Sequence, residues 1–261
     1  MKIALFKDRL GEEWTKEFTP FIESEEMDKI YTRLKADSVK GETIYPTSEN
    51  TFKAFKLVPP SKLRLIVIGQ DPYPGQYYKS KAPHATGLAL DNSNMEGNKL
   101  QPSLEAFWEG IAKEYNLDYN EFYKTHNLSF LAEQGVLLAN RAMTVCKGKV
   151  NSHMKLWDGW WKYFFEDIMR YHPNIPVLFL GNDAEYVKRW IFEMTHPIFK
   201  LSHPSAAAKN NEDWETNGTF EKINTYLQSH DKGVINWSHQ IWADKKAGKY
   251  GEFIRDTMLP F

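Results

Sequence analysis

A chain of 261 residues, 42% apolar and 26% charged, can build one large domain or two small ones around a sizeable core. Its net charge of −1 supplies no global basic field, so a polyanionic partner would have to be steered by a local patch. No run of 18 apolar residues is present to cross a membrane, and the single cysteine, Cys146, excludes an internal disulfide and a four-thiolate iron–sulfur cluster.

The opening MKIALFKDRLGEEW follows a short apolar patch at once with charge, unlike a secretory signal, and a reducing compartment fits. Residues 1–40 read as helical: Trp14, Phe18, Phe21 and Ile22 recur at helical spacing, and so do Met27, Ile30, Tyr31 and Leu34. Ser24 before Glu25 and Glu26 suits a helix start. Tyr45, Pro46 and Thr47 break the pattern, and Ser48 is expected to cap a short helix over 49–56. The run LIVIG at 65–69 then predicts a strand buried on both faces. It ends in Gln70, Asp71, Pro72, Tyr73, Pro74 and Gly75, which places an amide, a carboxylate and a phenol in one tight turn. Taken alone, this turn is as readily a solvated Pro/Gly turn as a ligand site. Residues 75–87 form a polar loop carrying Tyr77, Tyr78, Lys79, Lys81 and His84, either solvated or in contact with a nucleic-acid backbone or base. After a return to the core over 87–90, Pro102 and Ser103 start a helix with Leu104, Phe107, Trp108 and Ile111 on one face.

A second buried strand is expected over 136–139, ending at Asn140, and Asn151, Ser152 and His153 form a loop. An aromatic-rich helix is predicted over 157–171, stopped by His172 and Pro173. Strands at 176–180 and 197–201 flank a helix at 183–193, and the last strand runs into Ser202, His203, Pro204 and Ser205. A helix over 220–227 and an apolar segment at 234–237 complete the pattern. Residues 238–261 read as a C-terminal extension and 1–40 as an N-terminal helical one, within a single domain spanning 1–261. Strands separated by helices imply an α/β, three-layer α/β/α fold with a central four-stranded parallel sheet and right-handed crossovers. All strand ends then meet on one edge, where open parallel sheets bind ligands. That edge collects Gln70, Asp71, Tyr73, Asn140 and His203, a set hard to explain as unrelated turn residues.

An aspartate in such a turn can activate water or support positive charge on a sugar ring. An asparagine can present a donor and an acceptor to a base edge. A neutral histidine can hold negative charge developing on an oxygen. There is no nucleophilic Ser or Cys in a suitable motif, no HExxH and no Walker-type phosphate loop. Hydrolysis without a metal or covalent intermediate fits these residues best.

The stretches GQDPYPG, LLAN and SHPSAAA and the later NSH resemble the uracil-DNA glycosylases, whose usual motifs read GQDPYHG and HPSPLS. The flanks YPTSENTFKAF, PSL and FEKINTYL agree, so the resemblance covers about 45–237. The Tyr-Pro ending of the first motif is closer to poxvirus-type members. The resemblance implies a glycosylase-like fold and a monofunctional hydrolase that removes flipped-out uracil from DNA in base excision repair. It implies that Gln70 lies against the base, Asp71 orients or activates water, and Tyr73 fills the space of the thymine methyl. It further implies that Asn140 reads the base edge, His203 bonds the departing uracil anion, and Ser103 and Ser205 hold phosphates. No metal or cofactor is expected.

Several positions depart from the family pattern. Pro74 replaces a histidine, Leu90 stands where a phenylalanine usually stacks on uracil, Ala207 takes the place of an intercalating leucine, and Ala208 that of a phosphate-binding serine. An alanine wedge would fill little of the vacated stack, so reliance on single-stranded or weakened DNA is expected. Lys209 is a candidate backbone contact. DNA is the expected partner, with a proteinaceous glycosylase inhibitor or a replication protein as further candidates. The chain is expected to be a monomer, off the membrane, in a bacterial or viral cytoplasmic setting or a eukaryotic nucleus. Two rival readings are a glycosylase for a modified uracil and a replication-associated DNA-binding protein with weak activity.

Overall fold

The apolar runs of the sequence become strands. The computed structural model describes residues 2–94, 99–118 and 124–239, and six strands form among them. They are β1 (Ile44–Tyr45), β2 (Leu65–Gly69), β3 (Val136–Asn140), β4 (Val145–Cys146), β5 (Val177–Leu180) and β6 (Ile198–Leu201). β1 and β4 make a small antiparallel pair. The other four form one parallel sheet in the order β3-β2-β5-β6, flanked by helices, as the alternation of elements predicts. Every residue of β2 and β5 is buried, which explains why their sequences are continuous apolar runs and not alternating ones. β6 lies at the sheet edge, and there Lys200 is exposed and pairs with Glu185 at 2.6 Å.

The N-terminal helices are α1 (Lys2–Leu10), α2 (Glu12–Ile22) and α3 (Glu25–Val39). Ser24 caps α3 as expected, its hydroxyl oxygen accepting from the Met27 N–H at 3.5 Å. These helices belong to the same apolar cluster as the sheet. The Phe18 ring stacks on Trp160 at 3.9 Å and 10°, and the Trp14 indole N–H donates to the Val58 carbonyl at 2.7 Å.

The remaining helices are α4 (Lys53–Leu57), α5 (Pro102–Glu114), α6 (Ser129–Glu133), α7 (Asp158–Tyr163), α8 (Asn182–Glu185), α9 (Pro204–Asn210) and α10 (Thr219–Ser229). α4 starts later than expected, because Ser48 donates to the Glu49 carboxylate at 2.7 Å instead of capping a helix. The long aromatic helix expected over 157–171 changes pitch: α7 runs into a π-helical turn, Phe164–Ile168, and then a 3-10 turn, Met169–Tyr171. Buried residues recur there in pairs every four positions: Trp160 and Trp161, Phe164 and Phe165, Ile168 and Met169. On a regular α-helix such pairs would drift by roughly 40° per turn, and a wider turn keeps them facing the core. The helix expected over 183–193 is α8 followed by a 3-10 turn, Tyr186–Trp190. The tighter winding lets Arg189 stack on the Tyr186 ring at 3.4 Å, and Arg141 also lies over this ring, at 3.7 Å. The expected C-terminal extension lies outside the described residues from 240 onward. No described helix is long and apolar enough to cross a membrane.

Candidate active site

The parallel sheet brings the ends of β2, β3 and β6 to one edge. Register sets Gly69, the last residue of β2, beside Asn140, the last of β3. A Cβ at position 69 would collide with the Asn140 side-chain oxygen, so glycine lets that amide lie across the strand end. The N–H groups of Arg141 and Ala142 donate to the carbonyls of Gly69 and Gln70 at 2.9 and 3.0 Å. The turn that carries Gln70 and Asp71 is thereby pinned beyond the sheet.

Asn151 completes this turn, and sequence reasoning missed it. The loop before His153 places Asn151 in the left-handed region, φ 63°, which asparagine tolerates better than most residues. Its N–H donates to Asp71 Oδ2 at 2.7 Å, while its side-chain oxygen accepts from Gln70 Nε2 at 2.8 Å. The available signal was the asparagine heading the Asn-Ser-His stretch. Burial raises the pKa of Asp71, the Asn151 N–H opposes this, and the nearby Asp183 charge adds to it; the net shift is upward.

Tyr73 forms one wall. Its hydroxyl donates to the Leu90 carbonyl at 3.0 Å and accepts from Ser103 Oγ at 2.8 Å. Burial raises its pKa, which keeps the phenol protonated. Leu90 is buried and holds φ at 63°, a conformation that costs a leucine about 1–2 kcal/mol. The Tyr73 bond to its carbonyl secures that bend. Ser103 is only 4% exposed, and its hydroxyl serves Tyr73.

His203 follows β6 and caps α9. Its Nδ1 accepts from the Ser205 N–H at 3.1 Å and from the Ser205 hydroxyl at 2.8 Å, which puts the ring proton on Nε2. Burial, assisted by the charge of Lys209 and opposed by Asp183, pushes its pKa down to about 4. At neutral pH His203 is an uncharged N–H donor. Lys209 forms no ion pair among the described residues and stands at the pocket rim. Ala207 is 7% exposed and packed into the core, whereas Ala206 is the exposed neighbour. The expected wedge position therefore presents almost no side chain to solvent, because the helical turn of α9 faces it inward.

Asp71, Tyr73, Leu90, Asn140, His203 and Lys209 line one cavity of about 170 Å³, with Gln70, Ser103 and Ser205 also on its walls. The Asn140 side-chain amide makes no hydrogen bond among the described residues, so it is available to a ligand. A profile of the "Uracil DNA glycosylase superfamily" matches residues 55–228. A uracil-DNA glycosylase of Acinetobacter baumannii is 31% identical over 235 residues, 89% of this chain and 94% of that protein. The chain belongs to the uracil DNA glycosylase superfamily. Uracil-DNA glycosylase 1 of Listeria monocytogenes is 32% identical over 213 residues, 80% of this chain and 89% of that one. The crystal structure of mimivirus uracil-DNA glycosylase shares the fold at a TM-score of 0.79 and 22% identity, covering 90% of each chain. A mimivirus Y322L variant in complex with UGI gives 0.77 at 22% identity, covering 90% of this chain and 91% of that one.

This superfamily member also has a buried network around His153, two residues from Asn151. His153 Nδ1 accepts from the Thr144 hydroxyl at 2.9 Å, and its Nε2–H faces Asp37 Oδ2 at 3.2 Å and Cys146 Sγ at 3.4 Å. The Trp157 indole N–H donates to the Thr144 oxygen at 2.9 Å. Burial lowers the His153 pKa more than Asp37 raises it, so the ring is neutral. Burial alone would raise the Asp37 pKa, but its hydrogen bonds from Arg33 and His153 win and hold it below the ordinary value. The network ties α3 and β4 to the loop that carries Asn151.

Proposed function

We propose that this chain hydrolyses the N-glycosidic bond of uracil in DNA and leaves an abasic site, the activity named for its curated relatives. The observation that carries this reading is a single cavity presenting an unengaged Asn140 amide, a neutral His203 Nε2–H and the Asp71 carboxylate. The uridine leaves the base stack to enter it. Asn140 pairs with the donor–acceptor edge of uracil, Gln70 lies against the base, and Tyr73 closes the side where thymine carries a methyl group. Leu90 covers the ring with aliphatic surface. As the bond from the base nitrogen to the sugar carbon breaks, its electron pair leaves with the base. His203 donates to the uracil oxygen that gains charge, and Asp71 supports the cationic sugar and takes a proton from the attacking water. Ser205 positions His203, and Lys209 meets the phosphate backbone. The reaction needs only water, and the reading assigns no metal or cofactor.

DNA is the partner under this reading, acted on in base excision repair by a monomeric chain folded as one domain. The mimivirus protein in complex with UGI supports a proteinaceous inhibitor of that kind as a second partner. The test is uracil release from single-stranded and duplex oligonucleotides, with thymine, 5-hydroxymethyluracil and hypoxanthine as competitors. Abasic sites should form at uracil and should be strongly reduced with Asp71→Asn and with His203→Ala. No release by the unmodified protein, or equal release by the doubly substituted one, would sink the proposal.

A further inference from the structure

Residues 75–84 form a hairpin whose two feet stand on the rim of the pocket. The His84 N–H donates to the Gly75 carbonyl at 2.9 Å, Gln76 and Pro83 make an antiparallel bridge, and the Tyr77 N–H donates to the Ala82 carbonyl at 2.9 Å. The Lys81 N–H closes the tip on the Tyr77 carbonyl at 3.2 Å. Pro74 and Ala85, the residues on either side of the hairpin, both line the cavity. A Cβ at Gly75 would lie 2.7 Å from His84 Nδ1, so glycine leaves room for the His84 ring to pack on Tyr77.

The base of the hairpin is anchored by neighbouring side chains, and its tip carries the exposed Tyr78. The Tyr45 hydroxyl donates to Gln76 Oε1 at 2.6 Å, Asn92 Nδ2 donates to the Tyr77 hydroxyl at 3.2 Å, and Asn94 Nδ2 donates to the Pro83 carbonyl at 3.1 Å. The Tyr77 ring packs on His84 at 4.3 Å. Tyr77 is thus a structural residue, engaged on both its ring and its hydroxyl. Tyr78 is 85% exposed, with the Lys81 ammonium 4.6 Å from its ring centroid and Lys79 exposed beside it. An exposed aromatic ring flanked by cations, on a rigid stalk, matches a partner that alternates flat bases with phosphates. At about 3.3 Å per residue, Tyr78 stands roughly 10 Å from the foot at Gly75, about three base steps of a nucleic-acid strand.

We propose that Tyr78, flanked by Lys79 and Lys81, stacks on an unpaired base about three steps along the strand from the flipped uridine. The inference rests on the function proposed above. A base within a duplex is already stacked on both faces and gains little from a protein ring, while an unpaired base gains one. The contact therefore discriminates strand context without reading sequence.

The test compares the full chain with Tyr78→Ala, Tyr78→Phe and Tyr77→Ala. Binding is read by fluorescence anisotropy on a uracil-free single strand. Single-turnover excision is read on a single strand carrying uracil, on a duplex, and on a single strand whose four bases on either side of the uracil are replaced by abasic spacers. Tyr78→Ala should weaken single-strand binding and subsaturating excision about 5- to 150-fold. Tyr78→Phe should stay near the unmodified chain, and duplex excision should change less than about 2-fold. The loss should vanish on the spacer-flanked substrate, which has no base to stack. Tyr77→Ala, which loosens the stalk, should reproduce the loss with a lowered melting temperature, whereas Tyr78→Ala should melt like the unmodified chain. Unchanged single-strand binding in Tyr78→Ala, or an equal loss on the spacer-flanked substrate, overturns the inference. If the unmodified chain releases no uracil, the function reading fails separately, while the anisotropy result still judges the stacking contact.

Discussion

Replacing Asn151 separates the two services it performs for the proposed catalytic turn. Asn151→Gly keeps the backbone at φ 63° and keeps the N–H on Asp71, but deletes the side-chain bond to Gln70. A solvent-accessible hydrogen bond of this kind contributes about 0.5–1 kcal/mol, so excision should fall only about 2- to 5-fold. Asn151→Ala loses the same bond and adds about 1–2 kcal/mol of left-handed strain. The loop can escape that strain by turning its N–H away from Asp71. The combined loss, about 1.5–3 kcal/mol, corresponds to roughly 10- to 150-fold in rate. The two variants should also differ in pH dependence. The Asn151 N–H opposes the upward shift of the Asp71 pKa, so its loss in Asn151→Ala should raise that pKa further. The assay is single-turnover excision between pH 4 and pH 9 for both variants. Equal rates in the two, or an acid limb of Asn151→Ala that coincides with that of Asn151→Gly, would refute the claim that this backbone N–H orients and tunes Asp71.

In the unmodified chain, activity should fall on acidification through a midpoint above the ordinary value of 3.8 for aspartate, because the active form is the carboxylate; the residual activity of Asp71→Asn should lack this limb. His203 titrates at about 4 in the fold and at about 6.5 when unfolded, so its contribution to stability is fully present above pH 6.5 and is lost as pH falls toward 4. Denaturant titrations should show His203→Gln losing less stability than the unmodified chain between pH 7 and pH 5, by at most about 2 kcal/mol; identical losses would refute the neutral assignment. Phe18→Ala should destabilise the protein by about 3–5 kcal/mol, read as a lowered denaturant midpoint, because the ring is fully buried against Trp160. A change below about 1 kcal/mol would mean that the N-terminal helices fold apart from the sheet.

The order of strands and helices was legible from the sequence because burial on both sheet faces demands continuous apolar runs, as at 65–69, 136–139 and 176–180, while the edge strand expected over 197–201 tolerates the exposed Lys200. The gathering of Asp71, Asn140 and His203 at one edge followed from parallel pairing, which sends every strand end the same way. What pairing could not convey was which polar groups the fold leaves available. Ser103 and Ser205 look alike in sequence, yet one hydroxyl serves Tyr73 and the other His203. Tyr77 and Tyr78 are adjacent, yet only the second faces solvent, because hairpin pairing turns the first onto His84 and Asn92. Ala207 matched a wedge position by motif, and the winding of α9 took it into the core. Asn151 carried no periodic signal at all, since its role depends on a left-handed turn meeting a strand end 80 residues away. Periodicity reports what each residue must bury, and that is local. Which hydrogen bonds are made, and which are left for a ligand, is decided only when distant segments meet.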